Sequence, residues 1–229
     1  MSTYKALFFD VDDTLLDFCA AENNALQLLC KDQQLAFTQE TETSYKTINQ
    51  QLWRAFEEGK LSRDEVINTR FSLFFKEWDQ EVDGILMERT YRSYLEQGHQ
   101  LIDGAMELLT QLQHKYEIYI VTNGVSRTQD IRLRSSGLHP LVKQIFVSED
   151  TGFQKPMKEF FDYVFDRIPN LVPSEGLIIG DSLNADIRGG QKAGLDTCWY
   201  NPNRVVNQTE VKPTYEIQSL QQLYPILEK

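Results

Sequence analysis

Cysteine is scarce in this chain: 229 residues hold three, Cys19, Cys30 and Cys198, an odd number with no C-x-x-C spacing. That usage speaks against a disulfide framework or a zinc site and for free thiols in a reducing compartment. Long apolar runs are missing as well. No stretch approaches the roughly 20 residues that a membrane helix needs, and the start MSTYKALFF has no apolar run leading to a small-residue cleavage site. A cytoplasmic, soluble protein is the expectation. Positive charge is in deficit, with 23 Lys and Arg against 34 Asp and Glu and a formal net charge of -11. Such a balance disfavours nucleic-acid polymers and anionic membranes, although a local basic pocket can still take a small anion. Internal repeats and low-complexity segments are lacking. So are G-x-G-x-x-G after the first strand and G-x-x-x-x-G-K-[ST] anywhere, which removes the usual sequence support for NAD or ATP binding.

What is present begins with Ala6-Leu7-Phe8-Phe9-Asp10-Val11-Asp12-Asp13-Thr14-Leu15. Four consecutive apolar residues read as a strand buried on both faces, since a half-exposed strand would alternate. The acids then fall at its carboxyl end, where open parallel sheets bind ligands. Asp10 and Asp12 are two apart and point the same way in extended chain. Two carboxylates about 4 Å apart repel by roughly 4 kcal/mol at an effective dielectric near 20, so a cation such as Mg²⁺ is expected unless one stays protonated. A calcium loop of the EF-hand type fails, because Leu15 stands where Gly is needed and Ala21 where a bidentate Glu is needed.

From Cys19 to about Gly98 the pattern is helical throughout. Ala21, Ala25, Leu26, Leu28 and Leu29 mark one helix; Thr47, Ile48, Leu52, Ala55 and Phe56 mark a second that stops near Gly59. Ser62-Arg63-Asp64-Glu65 has the form of a capping box and opens a third, and Leu86 to Glu96 reads as a fourth. From Leu101 strands and helices alternate. Asp103 is placed to cap a helix through Leu112. Strands are expected at Tyr116–Val121, Gln144–Ser148, Gly176–Asp181 and Asp196–Tyr200, and helices at Val125–Ser136, from Pro156 to about Arg167, and at Ala185–Ala193. The tail from Asn201 carries three prolines and a short last helix. Right-handed crossovers then give an α/β fold: a Rossmann-like parallel sheet core with helices on both faces, formed by residues 1–16 and 100–229, plus an all-helical cap domain, residues 17–99, inserted after the first strand.

Polar groups recur wherever a core strand ends: Asp10 and Asp12, then Thr122 and Asn123, then Lys155, then Asp181. In a parallel sheet these positions share one edge. A nucleophilic carboxylate, hydroxyl and amide donors, an ammonium and a further metal-binding carboxylate together suit phosphoryl transfer. Taken singly, Thr122 also fits a strand-end turn, Lys155 a solvated lysine, and Asp186 a helix cap.

This ordered set resembles the haloacid dehalogenase superfamily of phosphatases. Asp10-Val11-Asp12-Asp13-Thr14 is similar to its first motif, Thr122-Asn123 to its second, Lys155 to its third, and Gly180-Asp181-Ser182-Leu183-Asn184-Ala185-Asp186 to its fourth. The insert after the first motif resembles the family's first class of cap. The resemblance implies an aspartyl-phosphate on Asp10 and general acid and base work by Asp12. It implies Mg²⁺, with Mn²⁺ as a substitute, held by Asp10, Asp181 and the main-chain carbonyl of Asp12. Asp186 would orient a metal-bound water, Thr14 would position the loop and Asp12, and Thr122, Asn123 and Lys155 would hold the phosphoryl oxygens. Because Asp12 is present, a phosphatase is implied rather than a dehalogenase, with a phosphoglucomutase-type mutase still open.

The stretch Leu52 to Glu65, Thr122-Asn123-Gly124-Val125, Gly152-Phe153-Gln154-Lys155-Pro156 and Ile187-Arg188-Gly189-Gly190 look like the pyrimidine 5'-nucleotidase branch. A small phosphorylated substrate such as UMP, dUMP, dTMP or a modified analogue is implied. Trp53 or Phe56 would face the base, and Arg54 or Lys60 would make a polar contact. Trp53 and Phe56 are three apart, so packing on each other is the competing reading. A broad phosphatase for phosphoglycolate or sugar phosphates, and a non-catalytic phosphate-binding regulator, remain as alternatives.

Overall fold

In the computed structural model, which describes residues 4–228, the chain divides into two compact units: Cys19–Gly98, and the segments before and after it. The first is built from helices α1 (Phe18–Asp32), α2 (Gln39–Glu57), α3 (Arg63–Lys76) and α4 (Gly84–Leu95). Their starts follow from local chemistry. Ser62 Oγ accepts from the Glu65 amide at 3.2 Å and Glu65 Oε2 accepts from the Ser62 amide at 2.7 Å, the reciprocal cap that the sequence predicts. Asp83 accepts from the amides of Ile85 and Leu86, so α4 begins two residues before the expected Leu86.

The buried face of α2 is not the expected one. Thr41, Tyr45, Asn49 and Phe56 are buried, whereas Thr47 is exposed and Ile48, Leu52 and Ala55 are half-buried. The helix is rotated because Tyr45 stacks on Phe71 at 5.4 Å between ring centroids and Asn49 joins a buried polar network. In that network Arg70 donates to Glu88 Oε2 at 2.6 and 2.9 Å and to Asn49 Oδ1 at 3.1 Å, and Asn49 donates to Glu22 Oε1 at 2.9 Å. Arg92 holds the other Glu88 oxygen.

The second unit is a parallel sheet of β1 (Ala6–Phe9), β2 (Glu117–Thr122), β3 (Gln144–Val147), β4 (Gly176–Gly180), β5 (Asp196–Tyr200) and β6 (Tyr215–Ile217), in the order β3-β2-β1-β4-β5-β6. Around it run α5 (Ala105–Leu112), α6 (Ser126–Ser135), α7 (Ser148–Thr151), α8 (Lys158–Phe165), α9 (Gly189–Ala193) and α10 (Leu223–Leu227). The four apolar residues of β1 are explained by a core on each face. Leu7 and Phe9 join Ile118, Ile120, Leu177 and Ile179 under α5, while Ala6 and Phe8 join Val121, Ile178, Phe160, Phe161 and Val164 of the α8 side. Full burial of a side chain of Leu or Phe size is worth about 1.5–3 kcal/mol, so this strand anchors both layers.

Three expectations need correction. Asp103 does not cap α5: Gly104, at φ +81°, occupies the cap position and offers no side chain. The single helix expected over Ala185–Ala193 is a wide π turn, Leu183–Arg188, capped by the Ser182 side chain and closed by the Ile187 amide reaching back five residues to the Ser182 carbonyl at 3.2 Å, followed by α9. The tail holds a sixth strand, β6, which pairs with β5 through Cys198–Tyr200. No described helix is long and apolar enough to cross a membrane.

Candidate active site

The sheet order reverses at β1: the chain fills β2 and β3 on one side, then β4 to β6 on the other. A crevice opens at such a reversal, outside the carboxyl ends of the strands. Register aligns those ends, with Phe9 beside Ile120 and Ile179, and Thr122 beside Val147. Asp10 and Asp12 leave β1, Thr122 and Asn123 leave β2, and Asp181 leaves β4.

Lys155 ties them together. Its Nζ donates to Asp10 Oδ1 at 2.7 Å, Asp186 Oδ1 at 2.6 Å and the Val121 carbonyl at 2.7 Å, so all three ammonium protons have protein acceptors. The side chain is 1% exposed. Burial alone would lower its pKa, but the two carboxylates prevail and raise it. Asn123 fixes the backbone of Lys155, donating to its carbonyl and accepting from its amide, both at 2.9 Å. Gly180 makes room for Asp186, since a Cβ there would lie 2.2 Å from the Asp186 carboxyl.

Dehydration, and then the neighbouring Asp186 and Asp12, push Asp10 from 3.8 up to about 7, against the pull of Lys155. Dehydration and repulsion from Asp10, Asp186 and Asp13 also hold Asp181 well above its ordinary value. Asp181 still meets solvent, so repulsion is the part that a cation would relieve.

A family model described as haloacid dehalogenase-like hydrolase matches residues 4–194. The chain belongs to the haloacid dehalogenase-like hydrolases. The HAD-hydrolase YfnB of Bacillus subtilis (strain 168) is 63% identical over 227 residues, covering 99% of this chain and 97% of that protein. Pyrimidine 5'-nucleotidase PynA of Streptococcus pneumoniae (strain ATCC BAA-255 / R6) is 44% identical over 227 residues, covering 99% and 96%. The solved orthorhombic form of Bacillus subtilis YfnB, described as bound to magnesium and as revealing interdomain movement, matches with a TM-score of 0.94 at 62% identity over 99% of both chains.

In this haloacid dehalogenase-like hydrolase, the carboxylates of Asp10, Asp181 and Asp186 offer oxygens that lie within 4.8 Å of one another. An all-oxygen set with mutual repulsion suits a hard divalent cation such as Mg²⁺. Asp186 is the most committed, its oxygens taking Lys155 Nζ and, at 3.0 Å, the Ser182 amide. The raised carboxyls give a pH signature. The folded state retains protons that the unfolded state has released, so the metal-free protein is expected to lose stability as pH rises from about 4 to about 7. Mg²⁺ should therefore raise Tm more at about pH 8 than at about pH 5.5. Thermal melts in EDTA and in Mg²⁺ at both pH values test this, and equal shifts would count against it.

Thr122 Oγ accepts from the Gly124 amide at 3.1 Å and from Gln129 Nε2 at 3.0 Å, which leaves its hydroxyl proton to donate. The Thr14 side chain is buried, and its hydroxyl has no hydrogen-bond partner among the described residues. Trp53, Arg54, Phe56 and Lys60 lie in the helical unit. Phe56 is buried and packs edge-on to Trp53 at 5.6 Å, and Arg54 and Lys60 both pair with Glu58, at 3.1 and 2.6 Å. Sequence reasoning missed two residues, Gln129 and Arg132 of α6, whose side chains hold Asp12. Their one signal is that both are polar on a helix that begins immediately after the second motif.

Proposed function

We propose that the protein is a Mg²⁺-dependent phosphomonoester hydrolase that works through an aspartyl-phosphate on Asp10 and acts on pyrimidine nucleoside 5'-monophosphates. The observation that carries the chemistry is the convergence of Asp10, Lys155, Asp181 and Asp186 at the sheet reversal. The similarity to PynA over nearly the whole chain supports the substrate class.

Asp10 attacks phosphorus while Asp12 gives its proton to the departing alkoxide. Water then attacks the phosphoaspartate, and Asp12 takes the proton that water loses, returning both carboxyls to their starting state. Lys155 aims Asp10 and pulls it toward its ionised form. Thr122, with the amides around Asn123, donates to the phosphoryl oxygens. Mg²⁺, held by Asp10, Asp181 and the main-chain carbonyl of Asp12 with Asp186 behind, would neutralise the charge that builds where phosphate meets carboxylate. We assign base recognition to the carboxyl end of α2, where Trp53 backed by Phe56 offers an aromatic surface and Arg54 and Lys60 offer charge. Three free cysteines fit a reducing, cytoplasmic setting.

A panel of UMP, dUMP, dTMP, purine monophosphates, phosphoglycolate and sugar phosphates, each with Mg²⁺ and with EDTA, is the test. The expected pattern is fastest phosphate release from the pyrimidine monophosphates, abolished by EDTA. Preference for phosphoglycolate or a sugar phosphate would remove the nucleotidase reading. Undiminished release in EDTA would remove the metal.

A further inference from the structure

We propose that Gln129 and Arg132 are positioning residues that anchor the Asp12 carboxylate and couple it to the phosphate-binding hydroxyl of Thr122. This rests on the phosphatase reading above and adds to it two residues from another segment of the chain. Each Asp12 oxygen has its own donor from α6: Arg132 Nη1 reaches Oδ1 at 2.5 Å, and Gln129 Nε2 reaches Oδ2 at 2.7 Å. The same Nε2 donates to Thr122 Oγ at 3.0 Å, so one amide group bridges the proton-transfer residue and the phosphate site. Gln129 is itself held from the other end, its Oε1 accepting from Arg132 Nη1 at 3.2 Å, which fixes the amide orientation.

Burial argues for purpose. Gln129 and Arg132 are each 1% exposed, whereas the Asp12 side chain is 29% exposed at the crevice. Burying a guanidinium costs several kcal/mol, and an ion pair that serves packing alone is commonly replaced by apolar side chains at no loss. Here the buried cation is directed at a carboxylate that faces the reaction. The guanidinium carbon also lies 5.6 Å from the centroid of the Phe18 ring, which limits its motion. Gly124 is part of the same device. A Cβ at that position would fall 2.4 Å from Gln129 Nε2 and 2.8 Å from Cδ and Cγ, displacing the amide from both partners.

The guanidinium and the amide NH2 can only donate hydrogen bonds, so between them they occupy one lone pair on each Asp12 oxygen and fix the direction of those that remain, at which proton exchange with the leaving group takes place. The anchor therefore sets the direction of proton delivery, and its loss should matter in proportion to how much the leaving group needs a proton. A nitrophenolate departs without one, whereas the alkoxide of a nucleoside does not.

The experiment compares kcat/KM, which reports the phosphorylation half-reaction, for p-nitrophenyl phosphate and for UMP in wild type, Arg132→Met, Arg132→Lys and Gln129→Leu. Arg132→Met is expected to lose roughly 10- to 100-fold on UMP and less than about threefold on p-nitrophenyl phosphate, whereas Gln129→Leu, which also frees Thr122, should lose on both esters with the larger loss on UMP. Arg132→Lys should recover part of the UMP loss. Equal losses on both substrates, or no loss on either, would overturn the anchor. Should Arg132→Met fail to fold by circular dichroism, Arg132→Lys and Gln129→Leu carry the same comparison. A wild type that hydrolyses neither ester would instead sink the phosphatase reading.

Discussion

Asp10→Asn is expected to lower phosphate release by roughly 10⁴- to 10⁶-fold, the scale on which removing a covalent nucleophile acts. The amide keeps the shape of the carboxylate but loses the charge and the lone-pair reactivity that attack on phosphorus needs. The fold should survive. Lys155 keeps Asp186 Oδ1 and the Val121 carbonyl as acceptors, so the buried ammonium is not orphaned. One of the mutually repelling carboxylates is also gone, so the metal-free variant should melt no lower than wild type near pH 8, where the repulsion is fully developed. Steady-state phosphate release with melting curves on the same preparations tests both halves. Retention of a tenth or more of the wild-type rate would mean that another group attacks phosphorus.

Arg70→Ala is expected to destabilise the helical unit by about 3–5 kcal/mol, because it leaves Glu88 buried without its main partner. Burial alone would raise the Glu88 pKa, but Arg70 and Arg92 hold it below its ordinary 4.5. Arg92 remains on the second oxygen, which places the loss toward the lower end of that range. The guanidinium also lies 5.0 Å from the Phe71 ring centroid and 4.8 Å from that of Tyr91, so aromatic packing is lost with the charge. The sign of the pH dependence follows. A carboxyl whose folded pKa is depressed contributes stability above its unfolded pKa, and that contribution fades as the pH falls through the folded value. Wild type should therefore lose the Glu88 contribution as the pH falls below the ordinary 4.5, and Arg70→Ala should lack it at neutral pH already. Urea unfolding followed through Trp53 and Trp78 of the helical unit reports the loss. An unchanged midpoint would show that the network contributes nothing net.

Much of this arrangement is legible before any coordinates. The apolar run of β1 reads as doubly buried because each of its faces packs on its own cluster, and the polar positions after β1, β2 and β4 follow from the rule that parallel sheets present those ends together, whereas Lys155 does not end β3 as expected but follows α7, eight residues past Val147. What stays hidden depends on partners remote in sequence. Arg132 reads as surface charge on an amphipathic helix, and only its meeting with Asp12, 120 positions away, makes its burial tolerable. Asn49 and Arg70 hide the true face of α2 in the same way: polar residues are counted outward unless their partners are known. The sixth strand, at three residues, is too short to carry a periodicity. The turn after β4 departs from a plain helix in that the Ile187 amide bonds five residues back to the Ser182 carbonyl, a backbone choice that no hydrophobic pattern encodes.

The central claim is that groups from separate strand ends gather so that Asp10 itself takes the phosphoryl group. Trapping during turnover tests it most directly: acid quench with UMP, borohydride reduction of any acyl phosphate to homoserine, and peptide mapping by mass spectrometry. The account predicts homoserine at position 10, dependent on substrate and Mg²⁺ and absent from Asp10→Asn. Reduction at a different carboxylate, or none while phosphate is still released, would contradict it.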